Sequence, residues 1–335
     1  MMTLAKLMRR SETAVFLIVA AIMVVIGLIN PAFWQADNLF NLLRANVIIG
    51  IMALSVLVVM ISGGIDVSFP ALASLAVYAL TRLLVDSNYT GGVWLPFVLA
   101  MVFGALLGAF NGLFTARLAL PTLIITLGTA SVFSGVMQGV LSSVQIPVIP
   151  PSMEAFGRST LFVATNPKSG LTSNMPVSFL ILVAVLAAVF VMMRYTMFGR
   201  GIYAIGGDES AASRAGFKVR RIKFWLYVLV GVIAALAGLI RTSMMGQMHP
   251  TNLLGMEMMV IAAVVLGGTA ITGGTGSLTG VMLGTLLITI VQNSMILMGI
   301  PTFWQGFSLG VLIIVGTGIS AVQVARSGNR LRAAV

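Results

Sequence analysis

Residues 194–223 read RYTMFGRGIYAIGGDESAASRAGFKVRRIK, a polar segment that lies between two long apolar runs. This segment holds seven of the 19 Lys and Arg residues and two of the eight Asp and Glu residues of the chain. A chain that is so apolar elsewhere concentrates its charge where it presents a surface to water. We therefore expect residues 194–223 to face a soluble partner. Within this segment, Asp208-Glu209 ahead of alanines predicts a short Ala-rich helix with an acidic N-terminus.

The composition is typical of a membrane protein. The chain is 59% hydrophobic and only 8% charged, whereas a soluble domain carries about 25% charged residues. The predicted fold class is therefore an all-α integral membrane protein, with the lipid bilayer as its main solvent. The net charge of +11 comes from basic residues that flank apolar runs, which indicates membrane anchors and no nucleic-acid partner. The absence of cysteine excludes disulfides and Cys-based metal sites.

About ten apolar runs approach the length of about 20 residues that a helix needs to cross a bilayer. They are 14–30, 45–62, 68–85, 94–115, 121–141, 176–193, 224–244, 255–270, 279–298 and 303–324. The third run is interrupted by Pro70 and Arg82, and the eighth begins at Glu257 and ends in glycines, so these two are the weakest. The first run resembles a signal peptide but lacks a small-residue cleavage site, so we interpret it as an uncleaved span.

The positive-inside rule assigns both termini to the cytoplasm. With ten spans, fourteen of the 19 Lys and Arg residues lie inside and five lie outside. Residues 1–335 then form a single transmembrane domain, with a cytoplasmic N-terminus at 1–13, a periplasmic loop at 142–175, a cytoplasmic loop at 194–223 and a cytoplasmic tail at 325–335. Prolines exclude one regular helix from 142–175. We expect a polar, irregular loop there, which either contacts something delivered from outside or only connects two spans.

Motifs for nucleotide binding and catalysis are absent from the sequence. It contains no G-x-x-x-x-G-K-[ST], no H-E-x-x-H and no G-x-S-x-G, and its single histidine, His249, lies in a short predicted loop. We therefore expect no catalytic residue, no cofactor and no metal on this chain. The energy for any active transport has to come from another chain.

The segment Ser62-Gly63-Gly64-Ile65-Asp66-Val67-Ser68 interrupts the apolar pattern with two glycines and a carboxylate. Non-helical backbone at membrane depth occurs only where protein buries it or water reaches it, and an ionisable residue there indicates function. One interpretation is that Asp66 and Ser68 cap the following helix. The other is a direct contact with solute or gate, and the two are compatible.

A second glycine-rich segment, Leu266-Gly267-Gly268-Thr269-Ala270-Ile271-Thr272-Gly273-Gly274-Thr275-Gly276-Ser277, follows the eighth run. Glycine permits unusual backbone angles and close approach. The segment is either a broken helix or tight re-entrant turn near the pathway, or a plain cytoplasmic turn between spans eight and nine. A weak echo links residues 63–68 to residues 267–276. In contrast, Gly104, Gly108 and Gly112 recur every four residues, which predicts a ridge for helix packing.

Several polar or aromatic residues lie inside the predicted spans: Asn46, Asn111, Gln138, Glu257, Gln292, Asn293 and Trp304. Amides can hydrogen-bond a hydroxyl-rich solute and aromatic rings can stack on a sugar, but such side chains also bond to neighbouring helices. Both interpretations stay open. The topology places Glu257 and Arg241 on the same outer side, so we expect them to form an ion pair.

Three blocks of this sequence resemble one family of transporters. The first is Ser62-Gly63-Gly64-Ile65-Asp66-Val67-Ser68, and the second is Ile261-Ala262-Ala263-Val264-Val265-Leu266-Gly267-Gly268-Thr269. The third has Thr196-x-x-Gly199-Arg200-x-Ile202-Tyr203-Ala204-Ile205-Gly206-Gly207-Asp208, then Ala211-Ala212, Arg214, Ala215-Gly216 and Lys218-Val219. Together they resemble, over about residues 40–325, the ribose-type permeases of bacterial ATP-binding cassette importers, a family that includes permeases for xylose, arabinose, galactosides and autoinducer-2.

The resemblance implies a permease of the bacterial inner membrane that imports a simple sugar or sugar-like solute by alternating access. It implies a second permease, identical or related, cytoplasmic ATPase subunits that bind the ATP, and a periplasmic sugar-binding protein. The family's coupling helix, between spans six and seven, maps onto Gly199, Arg200, Tyr203, Gly206, Gly207, Asp208, Ala212 and Gly216. The pathway or gating candidates are Gly63, Gly64, Asp66, Ser68, Gly267, Gly268 and Thr269.

One departure from the family pattern lies directly after Ser68. The family usually has Val-Gly-Ser where this chain has Phe69-Pro70-Ala71. Proline is compatible with the first turn of a helix, so the backbone path is expected to persist. The alternative to an importer subunit is an autonomous secondary carrier or channel, which would need titratable relays inside the membrane.

Overall fold

The computed structural model describes residues 11–118, 120–165, 170, 172–314 and 318. Thirteen helices occupy these residues: α1 Ser11–Ile29, α2 Ala36–Ile61, α3 Phe69–Asp86, α4 Trp94–Arg117, α5 Thr122–Gly139, α6 Pro151–Arg158, α7 Ser178–Tyr195, α8 Met197–Gly207, α9 Glu209–Arg214, α10 Val219–Met245, α11 Glu257–Leu266, α12 Leu278–Leu297 and α13 Trp304–Ile314. Two short strands, β1 Thr160–Thr165 and β2 Thr172–Pro176, complete the described structure together with a 3-10 turn at Pro31–Trp34. The predicted tail at 325–335 and most of the predicted segment 1–13 lie outside the described residues.

The prediction of a nearly all-helical, multi-pass membrane protein is confirmed. Eight described helices are long and apolar enough to cross a membrane, namely α1, α2, α3, α4, α5, α7, α10 and α12. The predicted eighth and tenth runs correspond to the shorter apolar helices α11 and α13. Helix α3 is continuous, because Pro70 lies in its first turn, where no backbone donor is lost to the helix. Helix α11 is short because glycines follow it directly.

Helix α2 is the centre of the fold. All its residues from 46 to 61 are buried, and α10, α12, α7 and α11 pack around it. The helices α1, α4, α5 and α7 instead expose apolar side chains such as Leu28, Leu106, Leu127 and Phe190. Such exposure costs about 25 cal/mol per Å² in water, and a hydrocarbon environment removes this cost. The outer helices are therefore the lipid-facing layer.

The predicted glycine ridge packs α4 against α10. A Cβ atom at Gly104 would collide with the carbonyl oxygen of Gly231, and a Cβ atom at Gly108 would collide with that of Tyr227. At Gly112 a Cβ atom would lie 2.7 Å from the carbonyl oxygen of Phe224. The two backbones approach so closely only because these α4 positions lack side chains.

The segment 142–175 is not the irregular loop that we expected from its prolines. It contains helix α6 and an antiparallel hairpin in which Thr165 pairs with Thr172 and Phe162 with Met175, with an irregularity between Thr160 and Phe162. Pro151 is compatible with α6 because it occupies the first turn. The hairpin packs on the N-terminal part of α2, where Ser173 Oγ donates a hydrogen bond to Asn41 Oδ1 at 2.8 Å. We call this part of the molecule the hairpin end.

Helices α2 and α11 end in the same way at the other end of the bundle. The amide of Gly63 donates to the carbonyl of Met60, and that of Gly64 to Val59. Gly268 lies two residues beyond the last residue of α11. Its amide likewise donates to the carbonyl of Val265. Gly63 and Gly268 have φ values of 81° and 88°, the left-handed geometry that closes a Schellman motif. The weak echo between the two glycine segments is therefore a shared helix terminator.

Candidate functional site: a glycine junction between three loops

The end of α2, helix α8 and the loop after α11 meet in space. The amide of Gly274, in the loop after α11, donates a hydrogen bond to the carbonyl of Ile61, at the end of α2, at 2.9 Å. The hydroxyl of Tyr203, on α8, donates to the carbonyl of Gly276 at 3.0 Å. Residues Gly63, Gly206, Gly273 and Gly274 come together around the Ile61 carbonyl, and we call this set the glycine junction.

The junction leaves no room for side chains. A Cβ atom at Gly206 would overlap the Ile61 carbonyl oxygen and lie 2.6 Å from the amide nitrogen of Gly274. A Cβ atom at Gly273 would lie 2.6 Å from the Cα atom of Gly63. The φ angles of Gly63, Gly273 and Gly274 are all positive, which L side chains rarely adopt. The loop after α11 therefore packs directly against the end of α2 and against α8.

Two consecutive helices, α8 and α9, form the segment between α7 and α10. Thr196 Oγ1 accepts from the amide of Gly199 at 3.1 Å and begins α8. Asp208 Oδ1 accepts from the amide of Ala211 at 2.8 Å and from the Ser210 hydroxyl at 2.7 Å, which ends α8 and begins α9. These hydrogen bonds hold the pKa of the exposed Asp208 carboxyl below its usual value. The predicted short Ala-rich helix after an acidic N-terminus is confirmed.

The predicted coupling residues divide into an inner and an outer group. Gly199 and Ala212 are buried, Tyr203 is half-buried, and Gly206 lies in the junction. The outer group, Arg200, Gly207, Asp208 and Gly216, is exposed. A Cβ atom at Gly207 would meet nothing within 4 Å, whereas a Cβ atom at the neighbouring Gly206 would overlap the Ile61 carbonyl oxygen. The loop itself is shorter than 194–223, because α7 extends to Tyr195 and α10 begins at Val219.

Asp66 organises the loop between α2 and α3. Its Oδ1 atom accepts from the Ser68 amide at 2.7 Å and from the Ser68 hydroxyl at 2.6 Å, at the N-terminus of α3. The Ser68 hydroxyl also accepts from Asn111 Nδ2, on α4, at 2.7 Å. The Ser68 side chain makes no capping hydrogen bond of its own, so Asp66 alone performs the predicted capping. It orders the start of α3 and links it to α4.

The same loop is fastened to α5 by two threonines. Thr122 Oγ1 accepts from the amide of Ile65 at 2.9 Å, and Thr126 Oγ1 accepts from the amide of Val67 at 3.3 Å. Two buried oxygen atoms near this loop, Asp66 Oδ2 and Asn111 Oδ1, have no hydrogen-bond partner among the described residues. Thr269 Oγ1, beside the other glycine loop, is likewise buried and unpaired. Both glycine-containing loops thus contain unsatisfied buried polar atoms, of which native proteins contain only a few.

The amide candidates in the spans connect helices. Asn46 Oδ1 accepts from the Thr289 hydroxyl at 3.3 Å, and Asn293 Nδ2 donates to Asn38 Oδ1 at 2.7 Å, so both join α2 to α12. Among the other candidates, Gln138 is exposed, Glu257 is half-buried, and the Trp304 ring packs edge-on against Phe307 with centroids 5.4 Å apart. The structure does not bring these side chains together into one solute site.

The predicted ion pair between Arg241 and Glu257 is wrong. Arg241 Nε and Nη2 both donate to Asn252 Oδ1, at 3.0 and 2.8 Å. Asn252 lies in the short loop after α10, within reach of the Arg241 side chain, whereas Glu257 is already part of α11.

A cavity at the hairpin end was not anticipated from the sequence. It has a volume of about 290 Å³ and lies between α2 and α10, lined by Asn41, Arg44, Ala45, Ile48, Arg241, Met244 and Met245. We call it the arginine cavity. One signal pointed to it, because Arg241 falls inside the predicted seventh span, and an ionisable residue within a span indicates function.

The fold and the site define a class before any comparison. The chain is a multi-pass helical membrane protein in which the connecting helix α8 contacts the end of α2 through backbone. The family model described as "Branched-chain amino acid transport system / permease component" matches residues 38–316. The chain belongs to this permease family and is a multi-pass protein of the inner membrane.

Three similar proteins support this assignment. The autoinducer 2 import system permease protein LsrC of Klebsiella pneumoniae is 32% identical over 92% of this chain and 86% of its own length. The ribose import permease protein RbsC of Bacillus subtilis is 34% identical over 90% of this chain and 89% of its own length. The xylose transport system permease protein XylH of Escherichia coli K12 is 29% identical over 93% of each. The comparison with solved structures gave no match.

Proposed function

We propose that this chain is the membrane-spanning permease subunit of an ATP-binding cassette importer for a simple sugar or sugar-like solute. Family membership and the relatives named for ribose and xylose import support this proposal. In the proposed assembly ATP binds to separate ATPase subunits. A second permease, identical or related, completes the pathway, and a binding protein delivers the solute.

The observation that carries the proposal is the contact of Gly206 with Ile61 and Gly274. The exposed side of α8 and α9 carries Arg200, Arg214 and Asp208, so it can meet a soluble ATPase in the cytoplasm. A displacement of α8 cannot be absorbed by side-chain rotation at the junction, because backbone touches backbone there. It therefore moves the end of α2 and the loop before α12 together, which is what alternating access requires of the gate.

The basic residues support the orientation. Arg200, Arg214, Lys218, Arg220 and Arg221 are all exposed on or next to α8 and α9. Lys and Arg accumulate on the cytoplasmic side of membrane proteins. The glycine junction then lies at the cytoplasmic end, and the hairpin end faces the compartment from which the solute arrives.

The proposal is tested by placing a bulky cation on the exposed part of the coupling segment. The variant Gly207→Arg adds its side chain where a Cβ atom meets nothing within 4 Å, so the permease is expected to fold and reach the membrane. Uptake of radiolabelled ribose or xylose by cells with the ATPase and binding protein is expected to fall at least tenfold. The proteoliposome ATPase rate is expected to lose its stimulation by the loaded binding protein.

The matched control is Gly92→Arg at the hairpin end. Gly92 is also exposed and has nothing within 4 Å of its Cβ position, so the same substitution should leave uptake within about twofold. Unchanged uptake by Gly207→Arg, at normal membrane levels, would disprove the assignment of the coupling surface.

An autonomous secondary carrier is the second candidate, and the buried Asp66 carboxyl with its unpaired Oδ2 atom is the observation that favours it. A carrier driven by protons would need such a group in the membrane. The discriminating experiment reconstitutes the permease alone in liposomes with an imposed proton gradient. Solute accumulation without ATPase or binding protein would establish the carrier and exclude the importer subunit.

A further inference from the structure

The arginine cavity lies between α2 and α10, and α2 reaches the glycine junction with its other end, at Ile61. Arg44 lies near the N-terminal end of α2 and Arg241 near the C-terminal end of α10, and both line the same cavity. The hairpin packs beside it, because Ser173 bonds to the cavity residue Asn41. The site therefore lies at the end of the molecule opposite to the coupling helices.

Two guanidinium groups at one small cavity repel each other unless acceptors compensate them. None of the lining residues is acidic. The ion pairs within the described residues are Arg82–Asp86, Arg158–Glu154 and Lys223–Glu209, and none of these includes a cavity arginine. Arg241 uses two of its nitrogens on Asn252, and Arg44 has no acceptor among the described residues. Since a guanidinium has five N–H donors, the cavity presents a surplus of donors.

The chemistry of the lining specifies a ligand rich in oxygen acceptors and small in volume. Guanidinium groups form paired hydrogen bonds with two adjacent oxygen atoms. Ile48, Met244 and Met245 supply an apolar wall, which can cover the C–H face of a ring. A cavity of about 290 Å³ lies at the lower limit of typical small-molecule sites.

We propose that the arginine cavity is the site at which the permease receives a small polyhydroxylated solute, with Arg44 and Arg241 as its specificity-determining donors. This inference rests on the proposed function and adds where the solute binds and through which chemistry. Helix α2 runs without interruption from Arg44 to Ile61, a span of about 26 Å at 1.5 Å per residue. Occupancy of the cavity is thereby linked to the carbonyl that the coupling segment contacts.

The test uses the absence of cysteine from the chain. Met245→Cys introduces a single thiol into the cavity, and Ala45→Cys introduces one from α2 as a second reporter. The full complex with ATPase and binding protein is placed in nanodiscs and treated with a charged methanethiosulfonate reagent. The probe is D-ribose or D-xylose, whichever the unsubstituted complex imports, and we expect it to slow the modification of both thiols about fivefold or more. A thiol at Val163→Cys, exposed on the hairpin, should react at an unchanged rate.

The arginines are tested in the same background. Arg44→Gln or Arg241→Gln should abolish protection of the Met245→Cys thiol and reduce uptake about tenfold, the equivalent of about 1.4 kcal/mol. Arg44→Lys should recover only part of the protection, because a lysine cannot form the paired hydrogen bonds. Arg158→Gln removes the same charge from an exposed residue outside the cavity and should retain both protection and uptake.

Three results would overturn the inference. Import of a sugar that protects neither thiol would overturn the cavity site and leave the proposed function intact. Equal protection by the empty and the loaded binding protein would show that the arginines meet that protein's carboxylates rather than the solute. Absence of import for every sugar offered would overturn the proposed function, and this inference with it.

Discussion

The glycine junction and the arginine cavity are built in opposite ways. At the junction, the end of α2, helix α8 and the loop after α11 touch through backbone, and the closest approaches occur at glycines with no side chain to rotate. At the cavity, long flexible side chains of Arg44, Arg241, Met244 and Met245 surround an empty volume. Backbone contacts transmit a displacement, whereas flexible side chains adapt to a ligand. The junction is therefore the rigid part of the structure and the cavity the adaptable part.

The largest effect is expected when one methyl group is added to the glycine junction. In Gly206→Ala the new Cβ atom would overlap the Ile61 carbonyl oxygen, and neither backbone can yield without moving a helix end. Overpacking typically costs about 1–3 kcal/mol, and we expect this contact with a backbone oxygen to lie at the upper end of that range. We expect uptake at background level and a lower melting temperature in detergent, measured by intrinsic fluorescence.

Two controls decide whether rigidity is the cause. Gly207→Ala adds the same methyl group one residue further on, where the Cβ position is open, and should retain uptake. Met245→Ala removes atoms from the cavity, where this side chain is 43% exposed, and should leave the melting temperature nearly unchanged. Wild-type behaviour of Gly206→Ala would show that the junction is loose, and the contrast with the cavity would disappear.

A smaller effect is expected from the loop that supports the junction. Asp66→Ala leaves the Ser68 amide and hydroxyl without their acceptor, which costs about 1–3 kcal/mol for buried groups. Asp66→Asn keeps the Oδ1 acceptor and changes only the Oδ2 atom, which has no partner among the described residues. We therefore expect Asp66→Ala to lower the melting temperature and uptake, and Asp66→Asn to resemble the unsubstituted protein.

The outcome for Asp66→Asn also bears on the mechanism. If this variant folds normally but loses transport, the negative charge or the titration of Asp66 is required, and the loop is then more than a support. Measuring uptake and melting temperature on the same preparations separates the two explanations.

Most of the fold could be predicted from the sequence. The length of the apolar runs identified the spanning helices. Pro70 lies in the first turn of α3, as expected for a proline that does not break a helix. The ridge from Gly104 to Gly112 packs α4 closely against α10, as its spacing predicted. The short helix α9 followed from Asp208 and Glu209 ahead of alanines, because its cap and first turn are local. The hairpin was missed because prolines in 142–175 exclude one long helix but not a short helix followed by paired strands.

The site was less predictable, because its contacts are between distant residues. Gly206 and Gly207 look equivalent in the sequence, yet only the first faces Ile61. The ion pair expected for Arg241 failed because Asn252, in the adjoining loop, provides a nearer acceptor. Arg44 and Arg241 line the same cavity but are almost 200 residues apart in the sequence, so no local pattern connects them. Only the position of Arg241 inside a predicted span gave a sign of the cavity.

The smallest effect is expected from the ion pair between Glu209 and Lys223. It tests whether side chains between α9 and α10 contribute to the effect ascribed to the glycine junction. Lys223 Nζ lies 2.7 Å from Glu209 Oε2, with side chains 20% and 57% exposed, and it connects α9 to α10 by side chains alone. Such a partly exposed pair is worth about 0–1 kcal/mol and weakens with salt. If displacement passes through the glycine junction, Glu209→Gln should reduce uptake less than twofold, in low salt and high salt alike. A loss comparable to that of Gly206→Ala, relieved by the reversed pair Glu209→Lys with Lys223→Glu, would show that side chains between α9 and α10 carry the displacement instead.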